Sequence, residues 1–122
     1  SISAALEYSM MLLDSSPYDG TRQVIDVSGD GPNNAGRIVT AVRDEVLARG
    51  VTINGLPIMI KRGGAWDIDD LDDYYRDCVI GGPGAFMIPI RTRDQFASAI
   101  RTKIIREIAD LGPLPSVTRI QA

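Results

Sequence analysis

Apolar residues open the chain at helical spacing. Ile2, Ala5, Leu6, Met10 and Leu13 share one stripe, so Ile2 to Leu13 is expected to form a helix. Ser15-Ser16-Pro17-Tyr18-Asp19-Gly20 then reads as a loop. The pattern changes at Gln23-Val24-Ile25-Asp26-Val27-Ser28, a short β-branched run bounded by Gly29, which predicts a buried strand. Gly29-Asp30-Gly31-Pro32-Asn33-Asn34 follows as a tight turn. Ile38, Val42 and Val46 restore helical spacing over Ala35 to Arg49, with Asn33 or Asn34 as N-cap and Gly50 at the C-terminal glycine position.

Val51 to Ile60 predicts a second strand whose far end Pro57 makes irregular. Lys61-Arg62-Gly63-Gly64 reads as a loop. Asp67 to Cys78 predicts a helix with Leu71, Tyr74, Tyr75 and Cys78 on one stripe, and Ala85 to Ile90 a third strand. Thr92-Arg93-Asp94-Gln95 has the form of a capping box and starts a last helix through Phe96, Ile100, Ile104 and Ile108. Leu111 to Ala122 holds two prolines and no periodicity. Residues 1–110 are thus expected to form the folded portion and 111–122 a flexible C-terminal tail. The order α-β-α-β-α-β-α predicts an α/β fold, a parallel sheet with flanking helices. Three strands make a thin sheet for that class. The chain also opens on Ser1 inside a helical pattern, so the expectation is the C-terminal portion of a larger, truncated domain.

Composition narrows the chemistry. The 122 residues carry 13 Lys plus Arg and 16 Asp plus Glu, a net charge of −3, with 44 % hydrophobic residues. That suits one globular domain with its own core. The acidic balance argues against nucleic acid as the main partner. No apolar run is long enough to span a membrane. Histidine is absent, which removes catalytic triads, Cys-His pairs and His-ligated zinc. The single Cys78 excludes an internal disulfide and reads as an inert thiol on an apolar stripe.

Ligands of open α/β sheets bind outside the carboxyl ends of the strands, where the turn after the first strand lies. Asp30 ends that strand between two glycines that let the backbone approach closely, and a hard cation such as Mg²⁺ takes oxygen ligands of this kind. Asp26, Ser28, Asn33 and Asn34 are the supporting candidates, around the ion or shaping the loop. The alternative is a turn Asp and two Asn caps that only form the loop. No Gly-Lys-Ser/Thr follows, so a P-loop is excluded. The acidic run Asp67, Asp69, Asp70, Asp72 and Asp73 lacks the glycine and distal glutamate of an EF-hand, and reads as negative charge at a helix N-terminus. Trp66, Tyr74 and Tyr75 read as core or loop anchors.

Arg22-Gln23-Val24-Ile25-Asp26-Val27-Ser28-Gly29-Asp30-Gly31-Pro32-Asn33-Asn34 resembles the third metal-site segment of a von Willebrand factor type A (VWA) domain. More closely, it is similar to a bacterial family of VWA-like domains of unknown function. That likeness extends through Val51 to Ile58, Tyr74-Tyr75-Arg76-Asp77, Val79 to Phe86 and the final helix. The resemblance implies a Rossmann-like fold and a metal-ion-dependent adhesion site in which Asp30 is a ligand. It places the site's Thr just before Ser1 and the Asp-x-Ser-x-Ser segment further upstream, and Gly29 stands where Thr is usual. Asp26-Val27-Ser28-Gly29-Asp30 imitates Asp-x-Ser-x-Ser itself, but no Gly-Thr and later Thr-Asp-Gly follow. Mg²⁺ binding by this chain is therefore expected to be weak.

The function this implies is a binding module, not an enzyme, that takes a carboxylate from a protein partner through Mg²⁺. No catalytic residue is assigned. The alternatives are Mg²⁺-assisted hydrolysis or phosphoryl transfer using Asp26 and Asp30, and a purely structural domain. If the first strand has lost a neighbour, residues 23–28 are an exposed edge and invite homo-oligomers. Relatives in that family look exported, so the resemblance implies a periplasmic or secreted setting.

Overall fold

The protein was analysed as a computed structural model that describes residues 1–15, 23–60, 70–109 and 116–121. Helix α1 spans Ile2–Asp14, strand β1 Gln23–Gly29, helix α2 Val39–Ala48 and strand β2 Thr52–Pro57. Helix α3 is one turn, Leu71–Tyr74, and continues as a π-helical turn over Tyr75–Val79. Helix α4 is Arg93–Ala109 and strand β3 is Ser116–Gln121. The fold is mixed α/β around a parallel sheet of order β2-β1-β3.

Helices cover both faces of the sheet. Ile25 and Val27 of β1 and Ile53 of β2 join Ile2, Leu6, Met10 and Leu13 of α1 in one core. Val39, Val42 and Val46 of α2, with Leu71, Tyr75 and Val79, close that core. Alternation turns Leu56 to the other face, where it packs with Ile90 and with Ala99 of α4. The stripes of α1 and of Val42 and Val46 are thus buried, whereas Ile38, which precedes α2 as its N-cap, and Phe96 on α4 are exposed.

Two elements differ from expectation. Ala85 to Ile90 forms no regular strand. It runs beside β2 through isolated parallel bridges, Gly55 to Met87 and Ile58 to Ile90. The Ile88 N–H donates to the Gly55 carbonyl at 2.9 Å and the Ile90 N–H to the Pro57 carbonyl at 2.9 Å. On the β2 side Pro57 has no N–H to give to the Ile88 carbonyl, so the ladder stays broken. The third strand comes instead from the segment read as a tail, because Ser116–Gln121 pairs with β1 from Gln23↔Ser116 to Ser28↔Gln121. Strand pairing satisfies the backbone of a short segment whatever its side-chain period, so the absence of a pattern there did not exclude a strand.

The exposed-edge expectation for residues 23–28 is corrected by the same observation. Strand β1 is central, with β2 on one side from Val24↔Thr52 to Gly29↔Pro57 and β3 on the other. Its backbone groups are spent on both neighbours, so a homo-oligomer through this edge loses its basis.

Helix α2 begins at Val39, later than the spacing indicated, with Ile38 as its N-cap and no side-chain cap hydrogen bond. Gly36 before it has φ of +82°, a left-handed conformation that breaks the helical path. Gly50, at φ +80°, does occupy the C-terminal position, and its N–H donates to the Leu47 carbonyl at 3.0 Å. The capping box of α4 forms as written. The Gln95 N–H donates to Thr92 Oγ1 at 3.4 Å, and Gln95 Oε1 accepts from the Thr92 N–H at 3.2 Å. Trp66, Asp67 and Asp69 lie outside the described residues.

Candidate functional site

The carboxyl end of β1 turns at Asp30, whose side chain is exposed. No hydrogen bond or ion pair among the described residues engages its carboxylate. Beside it, a Cβ built on Gly31 would meet nothing within 4 Å, so the turn faces open space.

Asn33 holds the turn in place, through a partner the sequence did not suggest. Its Oδ1 accepts the Ser3 N–H at 3.1 Å and the Ser1 hydroxyl at 3.1 Å. Its Nδ2 donates to the Arg37 carbonyl at 3.0 Å. Asn33 thus caps the N-terminus of α1 rather than that of α2. The first N–H groups of a helix have no partner inside it, and a side-chain oxygen from a distant turn serves as well as a local one. Ser1 and Ser3 hydroxyls both donate to the Ala35 carbonyl, at 2.6 and 3.2 Å, and complete the junction. Asn34 is exposed.

Replacing Asn33 by Ala should cost about 1–2 kcal/mol, the usual worth of a helix cap with its partners. Thermal denaturation should show the melting temperature about 5 °C lower. Asn33→Asp keeps the acceptor and should avoid more than half of that loss, whereas equal loss in both variants would refute the capping role.

Two tyrosines back the turn. The Asn33 N–H donates to the Tyr74 hydroxyl at 3.0 Å. Tyr75 is fully buried, and its hydroxyl has no hydrogen-bond partner among the described residues. Burial pushes the Tyr75 phenol well above its ordinary pKa, with the charges of Tyr74 and Asp30 adding to it, so it stays protonated at neutral pH. The rings of Tyr74 and Tyr75 meet edge to face with centroids 6.4 Å apart. The π-helical turn separates their roles. The Ile80 N–H reaches back five residues to the Tyr75 carbonyl at 2.9 Å, widening the helix where Tyr75 lies on Gly55. The sequence read both tyrosines as anchors. The one signal for more was their adjacency, since neighbouring helical residues point in different directions.

Asp26 does not join Asp30. It is buried in the middle of β1 and accepts from Asn54 Nδ2 at 3.2 Å, and Asn54 Oδ1 in turn accepts the Phe86 N–H at 3.0 Å. This chain of bonds ties β1 to β2 and to the segment beyond. About 10 Å of strand separates Asp26 from Gly29, too far for Asp26 and a turn carboxylate to share one ion. Ser28 is half-buried near the strand's end.

A second concavity of about 370 Å³ lies between α1 and α2 over Met10, Met11, Val42 and Val46. Its charges are already matched, Arg37 with Glu45 at 2.6 Å and Arg49 with Asp14. The Arg37 hydrogen bond holds the Glu45 carboxyl below its ordinary pKa. The Asp30 turn is therefore the better candidate, because its carboxylate has no partner among the described residues and stands at the carboxyl end of a strand.

The donor set at that turn bears on a cation. Among the described residues no group of three or more acidic or Cys side chains could hold a metal ion. One exposed carboxylate beside open space fits a largely hydrated Mg²⁺, which keeps several waters and needs only one or two carboxylates. It does not form a closed cage.

Comparison with known proteins yields one relation. A family model described as protein of unknown function (DUF1194) matches residues 1–112. No curated protein and no solved structure matches the chain.

Proposed function

We propose that this chain, which belongs to the DUF1194 family, is a Rossmann-like, VWA-like binding module rather than an enzyme. Its recognition point is the Asp30 turn, where a weakly held Mg²⁺ takes a carboxylate from a protein partner. The observation that carries the reading is the exposed Asp30 carboxylate at the end of a parallel strand. Asn33 holds this turn against the N-terminus of α1. Ligands of open α/β sheets gather at such strand ends. The resemblance of the turn to a metal-ion-dependent adhesion segment supplies the choice of ion.

Each residue has a defined task. Asp30 provides the one oxygen ligand of the chain, Asn33 and Tyr74 fix the turn that carries it, and bound Mg²⁺ would offer an open position to an incoming carboxylate. Among the described residues no helix is long and apolar enough to cross a membrane. The resemblance also supports a periplasmic or secreted setting for the proposed module.

Calorimetric titration with Mg²⁺ tests the site. With one carboxylate the dissociation constant should be on the order of millimolar, and Asp30→Asn should weaken it at least about tenfold. Asp26→Asn, a change away from the turn, should leave Mg²⁺ affinity unaltered in whatever fraction folds. Equal affinity of wild type and Asp30→Asn would defeat the proposal.

A further inference from the structure

Helix α1 is apolar on two sides. Ile2, Leu6 and Leu13 face the sheet, and Glu7 and Asp14 lie on the side of α2, where they meet Arg37 and Arg49. Tyr8 and Leu12 share the remaining flank, away from α2, with Ala5 at the spacing i, i+3, i+7. Tyr8 is 55 % and Leu12 43 % exposed, while Ser3 and Ser9 of the same helix are fully buried. A helix with serines inside and large apolar side chains outside has a second surface to cover.

That flank stands beside an open strand edge. Helix α1 packs on β1 and β3, whereas α2 packs on β2, so the side of α1 away from α2 is the side of β3. Strand β3 ends the sheet order β2-β1-β3, and among the described residues no strand pairs its other side. Ser116–Gln121 contains no proline and a single charge, Arg119, so it lacks most of the devices that keep a natural edge from pairing.

We propose that the chain forms a two-fold dimer in which β3 pairs antiparallel with β3 of a second copy and the Tyr8 and Leu12 flanks of the two α1 helices pack together. A second copy fits because one two-fold axis covers both surfaces at once, with both α1 helices on the same face of a continuous sheet. Strands lie about 4.8 Å apart and α1 spans β1 and β3, so the two helices come about 10 Å apart, the distance of packed helices. Charge selects the register. Directly opposed residues of an antiparallel pair share a face, so the axis passes through a residue, and the two central ones are Thr118 and Arg119. An axis at Arg119 sets like charges against each other. An axis at Thr118 sets Thr opposite Thr, a favourable cross-strand pair, and Arg119 opposite Val117. The α1 flank adds no clash, since the charges of the helix, Glu7 and Asp14, are turned to Arg37 and Arg49. The two Asp30 turns then stand at opposite ends of the joined sheet, so the dimer is independent of the site proposed above.

Sedimentation velocity and engineered cross-linking test the dimer. The full chain should sediment as a dimer. Tyr8→Lys combined with Leu12→Lys should raise its dissociation constant at least about tenfold and leave the circular dichroism spectrum unchanged, since both residues are exposed. Thr118→Cys in a Cys78→Ser background should form a covalent dimer under oxidised glutathione, because two copies of that position fall within disulfide reach. Val117→Cys in the same background lies opposite Arg119 and should remain uncross-linked. A monomeric full chain would overturn the inference and leave the α1 flank to a different partner. So would a dimer insensitive to the paired substitution at Tyr8 and Leu12, or cross-linking at position 117 as efficient as at 118. The Asp30 site is read by Mg²⁺ titration and stands or falls separately.

Discussion

A chain ended at residue 115, without Ser116–Gln121, should self-associate where the full chain does not do so through β1. The deletion takes away the partner of β1 from Gln23 to Ser28 and leaves that strand as an edge. Val24, Ile25 and Val27 are fully buried, so the new edge is apolar as well as unpaired. At about 1 kcal/mol net for each backbone hydrogen bond, a strand of this length is worth on the order of 5 kcal/mol. That is comparable to the whole stability of a small domain. Sedimentation velocity should show the shortened chain as dimers and larger species, and its thermal transition should fall by more than about 10 °C. A shortened chain that stays monomeric with an unshifted transition would show that β3 contributes nothing to the sheet. The family match ends at residue 112, so this strand lies beyond the matched region.

Gly55→Ala should be strongly destabilising. The new Cβ would stand 2.7 Å from Tyr75 Cδ2 and 2.8 Å from Ile80 Cγ2. Tyr75 cannot retreat cheaply, because its ring is fully buried in the main core and starts the π-helical turn. Overpacking of this kind costs about 1–3 kcal/mol, and two simultaneous contacts place Gly55→Ala at the upper end. A melting temperature lower by about 10 °C is expected. The damage should reach the candidate site, since moving Tyr75 moves Tyr74 and its bond to the Asn33 N–H, so Mg²⁺ affinity should fall as well. Gly31→Ala is the matched control. Nothing lies within 4 Å of its Cβ position and its φ is not in the left-handed region, so its cost should stay within about 0.5 kcal/mol. Equal effects of the two substitutions would mean that Tyr75 is not packed against Gly55.

Much of this arrangement is legible in the residues. The α1 stripe, the buried β1 run, the glycine after α2 and the capping box of α4 all form at or near the expected positions, because each is a local pattern that one element satisfies by itself. The position of Asp30 at a strand end is legible for the same reason. The misreadings share the opposite property. Asn33 was read as a cap for the helix that follows it, but the N–H groups it satisfies belong to α1, thirty residues back. Ala85 to Ile90 has the apolar content of a strand, but Pro57 stands opposite it on β2 where the ladder needs a donor. Tyr74 and Tyr75 look alike in sequence, and a π-helical turn sends one hydroxyl to Asn33 and buries the other.

By itself, then, the sequence determined the α/β class, the parallel sense of the strands, the faces that become core and the placement of Asp30 at a carboxyl end. It also removed every histidine-based chemistry, since no histidine is present. Only the tertiary structure decided which strand neighbours β1, which helix Asn33 caps, and that Asp26 bonds to Asn54 rather than standing beside Asp30. The division has a physical cause. Periodicity and capping report which groups must be buried or satisfied. Which distant group satisfies them is fixed only when the chain closes on itself and long-range hydrogen bonds compete for the same donors and acceptors.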